Sequence, residues 1–227
     1  MKFPKTFRIE KNLDGKIEDL ITNNPAIVKT LFKKHDKFIE DIFDYETCPG
    51  KYDACQESLK DFHYEISHIE LFNQQLHRFC DVNQYSGYFL SAMINKVIRD
   101  DDTIYFEKVG PNVGDYLERG TIIIEGDADF NIGCFLKGGR IIVKGNAMSY
   151  VGYCMEAGSI EVWGDISESV AYYMKGGKIL IKGNAGRDVA LGMEGGNLFL
   201  EGEVANLGNR RGGVINHRGS IILPNIR

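Results

Sequence analysis

Two glycine series run through the second half of this chain at one constant interval. Gly120, Gly139, Gly158, Gly177 and Gly196 are 19 residues apart, and so are Gly126, Gly145, Gly164, Gly183 and Gly202. Both series share a register, which reads as five uninterrupted copies of one unit over 120–214. Such a fixed period belongs to stacked repeat architectures. Inside the unit, Ile122, Ile141, Ile160, Ile179 and Leu198 are followed two residues on by Ile124, Val143, Val162, Ile181 and Leu200. Polar positions stand on either side, from Thr121, Arg140 and Ser159 to Glu125, Lys144 and Lys182. Alternation with period two predicts a strand with one buried face. Three further apolar series follow: Ala128, Ala147, Ile166, Ala185, Val204; then Ile132, Val151, Val170, Val189; then Leu136, Met155, Met174, Met193.

A unit of this length, with about three short strands and no helical stretch, cannot bury its apolar face alone. Stacked on copies of itself it can, with like residues about 4.8 Å apart along the stack. The glycines then fall at corners, where the backbone turns through angles that other residues resist. The Asp127, Asn146, Asp165, Asn184 series suits a corner as well, because Asn and Asp tolerate left-handed backbone. The expected fold is mainly β: a right-handed, single-stranded parallel β-helix over 101–227. An Ile104/Phe106 strand precedes the first copy and Gly219-Ser-Ile-Ile-Leu closes the last, for six to seven turns.

Residues 1–100 are a different kind of chain. Of 26 glycines, 23 lie at or beyond Gly110, and helical spacing appears instead. Asn24-Pro25 starts one helix carrying Ile27, Leu31, Phe38 and Ile42. The segment CPGKYDAC (48–55) reads as a break. A long amphipathic helix follows from Leu59 to Cys80, and a third from Ser86 to Ile98 with Phe89, Met93 and Val97 on one side. An open β-helix end invites edge pairing, so these helices are expected to cap or flank the solenoid.

Composition excludes several classes of function. A net charge of -5 and five cysteines, without framework spacing, argue against a nucleic-acid surface and against disulfides. No apolar run reaches membrane-span length and the first residues lack a signal peptide's apolar stretch, so a cytoplasmic, non-membrane chain is expected. Glycine-rich stretches such as GNAGRDVALG repeat in every unit and precede no helix, which makes them corners rather than phosphate cradles. Cys48, Cys55, Cys80, His63 and His68 are the only metal-like grouping, and their spacings match no zinc or iron–sulfur pattern. The Asp127, Asp165, Glu203 column is interrupted by Asn146 and Asn184. His217 with Arg210, Arg211 and Arg218 reads as a surface cluster. No catalytic residue, metal or cofactor is assigned.

One surface feature does stand out. The outward position between the two buried strand residues holds Ile123, Ile142, Leu180 and Phe199, with Glu161 the exception. A second outward column holds Cys134, Tyr153 and Tyr172, beside Tyr173. Apolar stripes on a solvated sheet mark a covered surface, either under the chain's own helices or under a protein partner or second copy.

The units GTIIIEGDADFNIGCFLKGG, GRIIVKGNAMSYVGYCMEAG and GKILIKGNAGRDVALGMEGG resemble the GXGXG β-helix family, found as the closing domain of the glutamate synthase large subunit and as a separate subunit of formylmethanofuran dehydrogenase. The resemblance covers about 102–223. It implies a right-handed parallel β-helix with a scaffolding role and no catalytic residues of its own. Residues 1–100 match neither enzyme, and the flavin, iron–sulfur and glutaminase regions are absent. The expected function is thus a non-catalytic assembly subunit or interaction module. The alternative is an enzyme in its own right, with a site between the helices and the β-helix.

Overall fold

A computed structural model describes residues 25–41, 48–79 and 84–223. Four helices come first: α1 (Pro25–Asp41), α2 (Cys48–Leu59), α3 (Ile66–Phe79) and α4 (Gln84–Val97). Eleven strands follow: β1 (Thr103–Phe106), β2 (Thr121–Ile124), β3 (Arg140–Val143), β4 (Ala147–Ser149), β5 (Ser159–Val162), β6 (Ile166–Glu168), β7 (Lys178–Ile181), β8 (Ala185–Arg187), β9 (Asn197–Leu200), β10 (Val214–His217) and β11 (Ser220–Ile222). They build a parallel β-solenoid of about six turns.

Its long sheet has the order β1-β2-β3-β5-β7-β9-β10-β11, and a second sheet has β4-β6-β8. Ile141, Ile160 and Ile179 lie in register across β3, β5 and β7. Every inward residue of the 122, 124, 132 and 136 series is buried to 1% exposure or less, apart from Leu200 at 2%.

The turns that begin at β3, β5 and β7 carry two strands each, not three. The third side is a tight run with left-handed residues, such as Asn131, Gly133 and Phe135 at φ 60°, 68° and 55°. It still hydrogen-bonds turn to turn, as Phe135 N–H to Tyr153 O (2.8 Å) and Gly152 N–H to Ile132 O (3.0 Å) illustrate. Strands need extended backbone, and left-handed residues cannot supply it.

The two glycine series differ in backbone angle. Gly139, Gly158, Gly177 and Gly196 have φ between +62° and +84°, which favours glycine, and close approach adds to it, since a Cβ on Gly158 would stand 2.4 Å from Gly138 O. Gly145, Gly164 and Gly183 are not left-handed. A Cβ on Gly164 would stand 2.4 Å from Asn146 Oδ1 and 2.7 Å from Gly145 O, so close approach selects this series.

The repeat is also shorter at both ends than a constant interval predicts. Thr103 pairs with Thr121 at an interval of 18, and Asn197 with Val214 at 17. The closing parallel strand is therefore β10. The Gly219–Leu223 segment turns back instead, and β11 pairs antiparallel with β10.

The segment at 48–55, expected to be a break, forms the first eight of the 12 residues of α2. Its three buried residues Tyr52, Cys55 and Leu59 recur at helical spacing, and burial overrides the local Pro-Gly signal. The long second helix is instead two, α2 and α3, separated at 60–65. Lys96 Nζ closes α2 by donating to the carbonyls of Leu59, Lys60 (2.7 Å) and Phe62 (2.8 Å). Ile42 and Cys80 lie outside the described residues.

The helices pack on the first turn of the solenoid. A first turn has no preceding turn to meet its backbone groups, so side chains do so. Ser91 Oγ donates to Asn112 O (2.8 Å) and accepts from Gly114 N–H (3.0 Å). Asn73 Nδ2 donates to Lys108 O (2.9 Å), and Tyr105 N–H donates to Glu70 Oε1 (3.4 Å). Gly87 lets α4 come this close, since a Cβ there would stand 1.7 Å from Pro111 O. One apolar core runs from Leu31 and Phe89 in the helices through Ile104 to Ile215.

Candidate functional site

The stripe residues Ile123, Ile142, Leu180 and Phe199 share one column of the long sheet in strict register. All four are half-buried. Among the described residues, helix packing reaches β1 through α3, and no helix lies along the stripe. A flanking lysine folds over it at Phe199, and two more fold over Trp163 in the next outward column. Lys178 Nζ lies 4.8 Å from the Phe199 ring centroid, and Lys182 and Lys144 lie 4.4 and 5.7 Å from that of Trp163.

Glu161, the polar break in the stripe, is held by three donors: Lys182 Nζ (2.8 Å), Trp163 Nε1 (2.8 Å) and Arg140 Nη2 (3.0 Å). These donors, Lys182 first, hold its carboxyl below the usual range.

Cys134, expected to point outward, is buried, while Tyr153 and Tyr172 are half-buried. Their column is one part of a longer aromatic run. Tyr52 of α2 stacks on Tyr116 (4.4 Å), Tyr116 on Phe135 (5.0 Å), and Phe135 meets Tyr153 edge-on (5.5 Å). Tyr153 then stacks on Tyr172 (5.8 Å), which meets Tyr173 (4.5 Å). Sequence reasoning missed Tyr116 and Phe135, although the same 19-residue spacing places them one position past the column it found.

The other candidates resolve into backbone support. Asp127, Asn146, Asp165 and Asn184 each accept the backbone N–H of the next turn's corner residue, at 2.6 to 2.9 Å. The ladder engages one side-chain oxygen, Oδ1, of each residue. At the far end, Arg211 pairs with Glu194 (3.3 Å) and Arg218 with Glu203 (2.5 Å). Arg210 Nη2 donates to Ile222 O (2.6 Å), and His217 Nε2 meets Gly202 O (3.0 Å). Each arginine of this group thus has a partner within the chain.

Cys55 is fully buried and its thiol is pushed up by desolvation. His68 is buried with Nδ1 accepting Glu65 N–H (3.1 Å), while His63 is exposed. The side chain of Cys48, like Cys80, is outside the described set. Among the described residues no three His, Cys, Asp or Glu side chains are placed to share a metal ion.

A cavity of about 180 Å³ opens where α2 and α4 meet the first two solenoid turns, lined by Tyr52, Asp53, Gln56, Asn95, Tyr116, Glu118 and Lys137. Asn95 Nδ2 donates to Tyr52 Oη (2.6 Å) and to Asp115 O (3.0 Å), and Asn95 Oδ1 is buried with no partner among the described residues. Glu118 and Lys137 face each other at 4.0 Å.

No protein-family model matches the chain, and no curated protein matches it. Among the described residues no helix is long and apolar enough to cross a membrane.

Proposed function

We propose that this chain is a non-catalytic assembly module that docks protein along the outer face and C-terminal edge of its long sheet. One observation carries the reading. The β1 edge of the sheet is covered by helices, whereas the β11 edge exposes Ile221 (64%) and Leu223 (69%), the most exposed large apolar residues described. An open strand edge with apolar side chains is a template for pairing with another chain. The Ile123, Ile142, Leu180, Phe199 stripe and the Tyr153/Tyr172 column add apolar surface beside it. Resemblance to the GXGXG domain supports the same role, because that domain scaffolds glutamate synthase and formylmethanofuran dehydrogenase. An oxidoreductase complex of that kind in the cytoplasm, where Cys55, Cys134 and Cys154 stay free thiols, is the setting we propose.

The test is co-purification of the tagged full chain from its native source, with mass spectrometry of retained chains and light scattering of the isolated protein. Wild type should retain a stoichiometric partner or self-associate. An Ile221→Lys/Leu223→Lys variant and a Leu180→Lys variant should keep wild-type circular dichroism and lose that association. A wild-type chain that purifies alone as a monomer refutes the reading. The junction cavity favours a second reading, an enzyme acting between the helices and the β-helix. Turnover by the purified chain, abolished by Tyr52→Phe, would support it.

A further inference from the structure

The open edge of the long sheet presents backbone groups as well as apolar side chains. Val214 N–H donates to Gly196 O (2.9 Å) and Arg218 N–H to Leu200 O (3.0 Å). Successive residues of a strand point their backbone groups to opposite sides. Val214 and Asn216 thus face β9, while Ile215 and His217 face β11, opposite Ile222 and Ser220. The N–H and C=O groups of Ile221 and Leu223 therefore point away from the sheet, and no hydrogen bond among the described residues takes them. Both side chains are exposed, at 64% and 69%, while Ile222 between them packs on the core. Ile221 also ends the outward column that runs through Leu180, Phe199 and Asn216.

Charge sets the chemistry of what can be added there. From Val204 to Leu223 the chain holds three arginines and no Asp or Glu, although its net charge is -5. Arg211 and Arg218 are already paired with Glu194 and Glu203. Arg210 is half-buried and its Nη2 donates to Ile222 O on β11 itself (2.6 Å). No carboxylate among the described residues pairs with it, and desolvation alone draws its pKa down. A guanidinium without a counter-ion thus sits on the strand whose edge is open, and a carboxylate is the partner its fork fits best. A second copy pairing edge to edge would instead bring two arginine-bearing ends together, and like charges repel. A polyanion without amides would leave the edge N–H and C=O groups unused, whereas a peptide strand meets both.

We propose that β11 receives an extended acidic segment of a partner protein as an added strand. Its backbone pairs with Ile221 and Leu223, its apolar side chains lie beside theirs, and a carboxylate meets Arg210. This partner chemistry presupposes the docking role assigned to the edge above. The edge offers only Ser220 to Leu223, so backbone pairing is short, and charge complementarity selects the partner.

Fluorescence anisotropy of the full chain with a labelled peptide of alternating valine and glutamate tests this. Two comparators have the same length. One alternates valine and lysine; the other is acidic but N-methylated at every peptide bond, which keeps the charge and removes the N–H donors. The acidic peptide should bind saturably, and both comparators should bind about tenfold more weakly or not at all. Arg210→Gln should weaken the acidic peptide about tenfold, the worth of one hydrogen bond. Ile221→Pro removes an N–H that β10 does not use, at an edge position where proline is tolerated, and should weaken it to a similar extent. If Ile221→Pro disrupts the hairpin, Arg210→Gln and the methylated peptide still decide. No saturable binding of the acidic peptide, or equal binding of either comparator, overturns the proposal. Self-association of the isolated chain that is lost in Ile221→Lys/Leu223→Lys places a second copy on the edge and overturns it too. Each of these outcomes leaves the docking role standing, which falls only if the wild-type chain purifies alone as a monomer.

Discussion

Gly152 sits on the third side of the solenoid at φ +69°, and a Cβ added there would stand 2.4 Å from Ile179 Cδ1. Two costs therefore attend Gly152→Ala. Left-handed backbone costs an L-residue roughly 1–2 kcal/mol, and forcing a methyl into a packed core costs roughly 1–3 kcal/mol. The structure separates them. Ala171 and Ala190, one and two repeats on, hold φ 59° and 60° and are fully buried. The angle is thus tolerated in this fold, and the Ile179 methyl is what sets Gly152 apart. Ile179→Val removes that methyl alone, at about 0.5–1.5 kcal/mol. Gly152→Ala should cost roughly 2–5 kcal/mol, a fall of roughly 4–20 °C in Tm for a chain of this size. The double variant should be more stable than the sum of the singles by about 1–2 kcal/mol. Urea unfolding followed through the single tryptophan, Trp163 beside β5, measures the cycle close to the lesion. If the two singles add to within about 0.5 kcal/mol, the methyl contact is not the reason for glycine.

Three further outcomes follow from the same packing. Ile160→Asp places an unpaired carboxylate in the middle of the isoleucine ladder, where Ile160 is 1% exposed; several kcal/mol of stability should be lost, and an unchanged thermal melt would disprove the inward assignment. Ser91→Ala strands Asn112 O and Gly114 N–H at the cap joint, at about 1–3 kcal/mol, and hydrogen exchange should show the first solenoid turn opening before the middle turns. Burial pushes the Glu70 carboxyl up to about 7, so the native state holds this proton after the unfolded chain has released it. Stability should fall by up to about 3 kcal/mol as pH rises from about 4.5 to about 7 and level off above. Glu70→Gln should remove that fall, and an identical pH profile in the variant would refute the assignment.

The solenoid was legible because its determinants are local and repeated. Each inward residue recurs every 19 positions with its own kind above and below, so alternation in one unit predicts burial in all of them. Ile122, Ile141 and Ile160 needed no distant information. The resemblance rested on the same glycines. What the repeat does not encode is what happens where it stops. The contraction before Val214 and the antiparallel return of β11 fall where the two glycine series end.

Only the tertiary structure assigned the second glycine series to close approach, because the Asx side chain that excludes a Cβ comes from the turn before. Likewise, a Pro-Gly pair reads as a break until Tyr52, Cys55 and Leu59 are seen to bury one face against α4. The candidate stripe was visible in sequence as a column, but its partial cover by Lys178 and its neighbours was not, since flexible side chains choose their rest positions from what stands beside them. The junction cavity lay furthest from view. Tyr52, Asn95 and Glu118 share no spacing and no repeat, and they meet because α2 and α4 fold back on the first solenoid turns. Sequence determines which residues a repeat must bury; which unlike surfaces come to face each other is decided by long-range packing.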